Sequence, residues 1–454
     1  MKFKSAYFTV IIFLAIPFFI YGAADDAVSE EETAMRDIIN YGTDNEILTM
    51  IKKLRSDNIE YLDDDLIRLA SKTRNQNIIL GVFSFFGERS RKGLEESAIA
   101  IIAGRENETP QKINAALDYL GTVKEMAALP VIKEIIYSDD SRYDSAAIKS
   151  LGKILYSETS QADDGAGATE LLIDYYNNRV PNEDNRIAII SAIGSSGGEA
   201  ASPFLLEIIN NSEHGTPLRM TALEAAGKLK DDNSLDSIIA AAAAEEPNIR
   251  FAAIGALGNF EGEAVDAAIL ESFRDTYFKA RLAAIRSAKA RRLKDAIPYL
   301  RYRAEKDETP SVKEEAVLAL GAMQDAGANT ALLALFNDAK NNDNLRSLCA
   351  EELIKNDAGM YTEEVIAKLN EAKAKKQTAF YKGLLKAISL AKTSKVENFT
   401  ASLFASTDVI EKFYALDITA NNRFTSFKNE VERLTKEKNA SLSRRAKATL
   451  EILG

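Results

Sequence analysis

The chain has 454 residues, 57 Lys and Arg against 68 Asp and Glu, a formal charge of −11 and 46% hydrophobic residues. That is enough apolar material for a large core, but too much charge for a polytopic membrane protein and the wrong sign for wholesale nucleic-acid binding. One Cys and one His exclude an internal disulfide framework and any zinc or iron site needing several imidazoles, leaving only carboxylate sites for hard cations.

Lys2 and Lys4 precede an apolar stretch from Val10 to Tyr21, then Gly22, Ala23 and Ala24 stand before Asp25 and Asp26. This is the layout of a secretory signal peptide, short for a membrane span and interrupted by Pro17, so cleavage near Ala23 or Ala24 is expected. No Cys follows it, which excludes lipid attachment through an amino-terminal cysteine. The expected product is exported, periplasmic or secreted. Next, helical patterns fall at Ile47–Leu54, Leu62–Leu69 and Leu94–Ile102, with Phe83, Phe85 and Phe86 between the last two.

Gly121, Gly152, Gly194, Gly227, Gly258 and Gly321 each follow an alanine-rich apolar segment, at separations of 31, 42, 33, 31 and 63. The last is two units, with Lys289 in the missing glycine place after Ala283, Ala284 and Ala288, so seven units are marked. Pro247 reads as an early helical residue, Ala252, Ala253, Ala256 and Leu257 as a narrow packing face, and Gly258 as the stop. Ile269, Leu270 and Phe273 are the buried candidates of a second helix, so each unit reads helix–turn–helix. Pro110, Pro181, Pro217 and Pro310 precede their glycines by 10 to 13 residues and give the same start signal. The unit between Gly152 and Gly194 is longer, and the polar segment Ser157–Gly167 reads as an inter-helix insertion. Beyond residue 355, Tyr361–Leu369, Lys382–Leu390, Val409–Tyr414 and Phe427–Leu434 read helical. Phe399, Phe404, Phe413, Tyr414, Phe424 and Phe427 are expected to close a final apolar face, and Arg444, Arg445, Ala448 and Leu450 suggest one more degenerate unit.

Arg186 with Ala192 and Gly194, Arg219 with Ala225 and Gly227, Arg250 with Ala256 and Gly258, and Arg281 with Ala288 resemble the HEAT-like repeat family in its bacterial PBS-lyase HEAT-like form. The resemblance implies an all-α, right-handed α-solenoid of stacked helix pairs, with these arginines near the inter-helix turns ordering the stack and with binding or positioning of other molecules as the usual role. The resemblance is strongest over 109–355, and the expected organisation is a signal peptide over 1–24, irregular N-terminal helical repeats or a cap over 25–108, a HEAT-like solenoid over 109–355, and degenerate repeats with a C-terminal cap over 356–454.

Catalytic motifs are weak. Gly194-Ser195-Ser196-Gly197-Gly198 satisfies G-x-S-x-G, but a repeat helix rather than a strand precedes Ser196, and the sole histidine, His214, lies in another loop. Gly165-Ala166-Gly167 lacks the third glycine and preceding strand of a dinucleotide loop, and there is no Walker-type G-K-[ST]. Asp63-Asp64-Asp65, Asp139-Asp140, Asp163-Asp164 and Asp231-Asp232 read as helix starts or wet loops, and Cys349, among Leu345, Leu348 and Leu353, as an inert core residue. Positive charge concentrates at 281–306, where Arg281 and Lys294 accompany the candidate binding residues Arg286, Lys289, Arg291, Arg292, Tyr299, Arg301, Tyr302 and Arg303, with Lys306 at the end. Arginine forks and tyrosine rings there suit an acidic protein segment or an anionic envelope component.

The reading is therefore a non-enzymatic protein-binding scaffold of the bacterial cell envelope, in the periplasm or secreted, with no cofactor, metal or nucleic acid. Its partner is an unidentified envelope protein, and peripheral membrane association after signal cleavage is compatible with it. The alternatives are a self-assembling structural envelope component and, further off, a chromophore-lyase-like enzyme or enzyme subunit; oligomeric state is left open.

Overall fold

The computed structural model describes residues 30–57, 62–138, 141–155, 166–179 and 182–454, and all regular structure within them is helical. The expected signal peptide, Pro181, Asp139-Asp140, Asp163-Asp164 and most of the Ser157–Gly167 insertion lie outside the described residues. Two compact units divide after Tyr119.

The first unit holds α1 (Glu30–Tyr41), α2 (Asp44–Asp57), α3 (Asp63–Lys72), α4 (Gln76–Glu88), α5 (Glu95–Ala103) and most of α6 (Pro110–Thr122). The three patterns read from sequence fall in α2, α3 and α5, and α1, with Met35 and Ile39 buried, precedes them. Phe83, Phe85 and Phe86 sit inward on α4, and Asp63, Asp64 and Asp65 occupy the first turn of α3, where carboxylates favour the helix dipole. Tyr119 is fully enclosed, accepting from the Leu94 N–H at 3.1 Å and donating to the Arg91 carbonyl at 3.0 Å.

The second unit continues with α7 (Leu129–Tyr137), α8 (Asp144–Leu155), α9 (Ala166–Asn178), α10 (Glu183–Ser196), α11 (Ala201–Asn210), α12 (Thr216–Leu229), α13 (Leu235–Ala241), α14 (Pro247–Leu257), α15 (Glu263–Ser272), α16 (Phe278–Arg291), α17 (Ile297–Lys306), α18 (Pro310–Met323), α19 (Ala326–Asn337), α20 (Asp343–Ala374), α21 (Thr378–Ser389), α22 (Glu397–Phe404), α23 (Val409–Asn422), α24 (Lys428–Leu434) and α25 (Ala440–Leu453). The helices alternate between two rows. In the first row α8, α10, α12, α14, α16, α18, the front arm of α20, α21, α23 and α25 pack each against the next; the second row is formed by α7, α9, α11, α13, α15, α17, α19, the rear arm of α20, α22 and α24. The two arms of α20 meet at Asp357, whose non-helical backbone takes the place of a loop and whose carboxylate accepts from the Met360 N–H at 2.9 Å. This is an all-α solenoid of stacked helix pairs.

The recurring glycines do a different job from the one the spacing suggests. Gly258 does cap α14, but Gly121, Gly152, Gly194, Gly227 and Gly321 lie inside their helices, one to three residues before the end. Gly121 meets Ser150 of α8, and the other four are contact points between first-row helices: a Cβ on Gly194 would stand 2.5 Å from Ala225 Cβ and 2.7 Å from its Cα, and one on Gly227 2.9 Å from Ala256. Several ends are instead made by a residue in the left-handed region, at Gly197, Lys230, Arg292, Gln324 and Arg423. All but the first have side chains, and their φ of 49° to 54° costs roughly 1–2 kcal/mol each.

Of the aromatic residues expected to close the final apolar face, Phe404 and Phe427 are buried, with ring centroids 5.3 Å apart, and the other four are half-buried. Helix α25 follows them, burying Leu442, Ala446 and Thr449 and leaving Arg444, Lys447 and Glu451 exposed.

Candidate functional site

The repeat arginines form a ladder along the edge where each second-row helix hands over to the next first-row helix. Arg219, Arg250 and Arg281 each stand just after a buried apolar residue, Leu218, Ile249 and Ala280, in the first turn of the helix, and reach back to the preceding helix's carbonyls. Arg219 donates to the Ile209 carbonyl at 3.1 Å and to Glu246 at 2.9 Å. Arg250 donates to the carbonyls of Ala244 and Glu245 and grips Asp275 through Nε and Nη2 at 2.6 and 2.9 Å. Arg281 repeats this one unit on, donating to the Asp275 and Thr276 carbonyls and holding Asp307 through two bonds of 2.8 Å. A guanidinium there meets the negative end of one helix and a carboxylate with the same rigid fork. Burial pushes the Asp307 and Asp275 carboxyls up, but the Arg281 and Arg250 forks and the N–H groups of Thr309 and Tyr277 outweigh it, so both titrate below the usual range.

The ladder runs further than the four arginines read from sequence. Lys313 donates to the Glu305 carbonyl at 3.1 Å, and Arg346 donates to the Phe336 carbonyl at 2.9 Å while lying 4.0 Å over the Phe380 ring. Tyr381 then replaces the cation and donates to buried Glu411 at 2.6 Å, and Ser443 donates to the Thr435 carbonyl at 2.5 Å. Arg186 stacks on Tyr176. Register relative to the helix start identifies these positions, each the fourth residue of its helix, whereas a pattern that requires arginine, alanine and glycine together passes over them.

Ser196 is enclosed at the end of α10, sharing a hydrogen bond with Thr169 and donating to the Ile193 carbonyl at 2.9 Å, so it is a helix-end hydroxyl in a packed contact. His214 lies between α11 and α12 with Nε2 3.6 Å from Glu207. Asp231 starts a short helical turn by accepting from the Asn233 N–H. Burial pushes the Cys349 thiol up to about 12, which removes its thiolate at neutral pH. Among the described residues no group of three or more His, Cys, Asp or Glu is placed to hold a metal ion, and no helix is long and apolar enough to cross a membrane.

The basic stretch at 281–306 separates into parts facing different ways. Arg281 is a buried ladder rung. On α16, Arg286 and Lys289 share Glu315 at 3.9 and 3.5 Å, and Arg291 reaches Asp266 at 2.5 Å. Arg292 is an exposed turn residue, and Lys294 pairs with Asp325 at 3.2 Å. The second-row helix α17 carries the rest. Tyr299, Tyr302 and Arg303 line one open hollow of about 440 Å³ together with Pro298 and Arg274. Tyr302 is 57% exposed, Arg303 lies over its ring and donates to Asp307 at 3.2 Å, and exposed Arg301 makes no ion pair among the described residues. Arg274, just past α15, lies 5.6 Å over Tyr299 and was not among the residues singled out, because it falls outside the dense basic run.

Stacked helix pairs, small-residue contacts between first-row helices and an arginine ladder at the turns define a HEAT-like α-solenoid. The chain belongs to the spirochaete HEAT repeat protein family, which it matches over residues 39–449. No curated protein matches it. Among solved structures it is similar to Kap121p (12% identity, TM-score 0.46, 93% of this chain and 53% of that one), so it spans about half the length of that protein. It is also similar to importin beta (12%, 0.46, 93% and 70%) and to human deoxyhypusine hydroxylase (18%, 0.26, 59% and 97%).

Proposed function

We propose that the chain is a non-enzymatic protein-binding scaffold of the bacterial cell envelope, exported by its amino-terminal leader to the periplasm or beyond. The observation that carries this reading is the contrast between two sets of cations. The ladder arginines are held by carbonyls and carboxylates inside the stack, whereas α17 offers Arg301 and Tyr302 outward from a rigid two-row support. Stacked repeats present such side chains at fixed intervals without asking any of them to do bond chemistry. An acidic segment of an envelope protein is the partner that this half of the basic stretch suits, and peripheral attachment to the membrane would come through that partner.

The test is affinity capture from the native envelope with the mature chain, alongside an Arg301→Glu, Tyr302→Ala variant and an Arg286→Glu, Lys289→Glu variant, read by mass spectrometry after crosslinking. Partners lost from the first variant and kept by the second are expected. Partners lost only from the second would move the contact to the first-row face. A chain that captures only itself, with a sedimentation coefficient rising with concentration, would replace the scaffold by a self-assembling envelope component.

A further inference from the structure

Two hollows open on the second-row face, and they share one residue. The first, of about 360 Å³, is lined by Ile239, Ala242, Ala243 and Ala268 with Glu271 and Arg274, and the closed Arg250–Asp275 rung lies at its edge. The second is the hollow of Pro298, Tyr299, Tyr302 and Arg303, again with Arg274. The trough exists because Ala242 and Ala243, just past α13, and Ala268 of α15 line one side where α17 presents tyrosines on the other, so a low floor meets an aromatic wall. Both hollows fall in the size range that takes a few partner side chains.

We propose that this trough takes a short extended acidic peptide segment of a partner protein, with Arg274 as the residue that receives its carboxylate and the two hollows taking the apolar side chains on either side. The inference rests on the scaffold reading and goes beyond it in naming the class of segment and the receiving residue. Arg274 suits the role on three counts. Its side chain is 61% exposed; it stacks on Tyr299, which itself packs on buried Phe273 with centroids 5.5 Å apart, so the guanidinium is supported from below; and its partner Glu271, at 2.5 Å, is 71% exposed. An exposed pair three residues apart is worth little, so an incoming carboxylate can take the place of Glu271. Neighbouring Arg303 is already matched by Asp307, and exposed Arg301, without an ion pair among the described residues, adds positive field beside the trough. A polyphosphate chain fits less well, because nucleic acid needs several cations in line and here the floor is apolar and an acidic residue stands within it.

The experiment uses the mature chain and a fluorescein-labelled octapeptide in which aspartate alternates with leucine, followed by fluorescence anisotropy. Binding that weakens about tenfold with Arg274→Ala is expected, the size for a lost charge-assisted hydrogen bond, together with tighter binding by Glu271→Gln and unchanged binding by Arg286→Ala, Lys289→Ala. Arg274 and Glu271 are exposed, so both variants should keep the wild-type circular dichroism and melting point. Equal losses from the Arg274 variant and the first-row variant, or displacement of the peptide by single-stranded DNA at matched charge, would overturn the trough in favour of general polyanion attraction. Absence of peptide binding would also overturn it, and envelope partners still captured by the Arg274→Ala chain would then leave the scaffold standing without this site.

Discussion

At the scale of residues, the clearest energetic statement concerns Arg281 and Asp307, whose side chains are 5% and 0% exposed. A buried pair is expensive to break from one side, because the survivor keeps its desolvation cost without its partner. Asp307→Ala is expected to destabilise by about 3–5 kcal/mol in chemical unfolding. The joint change Arg281→Met, Asp307→Leu should recover most of that but not all, since the Asp307 carboxylate also accepts from the Thr309 N–H at 3.0 Å in the turn before α18, a hydrogen bond worth about 1 kcal/mol. The pair has a pH signature as well. A carboxyl whose folded pKa is depressed contributes stability that is present above its unfolded value, about 3.9, and lost as pH falls through the folded value. Melting temperature should therefore drop on acidification below about pH 4, with a shallower limb in Asp307→Asn. A limb of unchanged steepness would show that other carboxylates govern the acid transition.

At the scale of elements, the first-row helices approach so closely that glycine is a steric requirement at some positions and an indifferent choice at others. Gly194→Ala puts a methyl carbon 2.5 Å from Ala225 Cβ, which forces two helices apart, whereas a methyl group on Gly255 in α14 would meet nothing within 4 Å. The first change is expected to destabilise by about 1–3 kcal/mol through overpacking, and the second to stabilise by about 0.5–1 kcal/mol by removing backbone freedom from the unfolded chain. Equal effects in thermal melts would mean that the rows can slide to make room. These helices were legible in the sequence because proline, alanine face and glycine recur in step. The role of glycine was not, since a glycine near a helix end looks the same whether it stops the helix or admits a neighbour. The candidate surface was legible only in part. A run of cations adjacent along the chain, from Arg281 to Lys306, crosses a turn and is distributed by the fold among a buried rung, the first-row face and the second-row face. Arg274 joins Tyr299 only through packing, so no local spacing could have paired them.

At the scale of the whole molecule, each pair in the second unit touches chiefly its neighbours, so stability grows with the number of pairs. Helix α25 covers α23, whose Ala415, Leu416 and Ile418 are buried, and turns Arg444, Lys447 and Glu451 outward. Removing residues 440–454 should lower the melting temperature and raise binding of a hydrophobic dye, because a buried row becomes surface. An unchanged melt would identify α24 as the true end of the cooperative stack.

The ladder has one further consequence, for how such a chain can lengthen. Asp275 offers its carboxylate to the arginine of its own repeat and its carbonyl to the arginine of the next, so the bonding between these repeats is directional and each of them carries one half of the junction. A segment copied in phase, from one ladder arginine to the residue before the following one, arrives with both halves already matched. Gene duplication or deletion of whole units can thus change the length of the protein without creating an unpaired end, while a cut out of phase would leave a buried arginine facing no carboxylate.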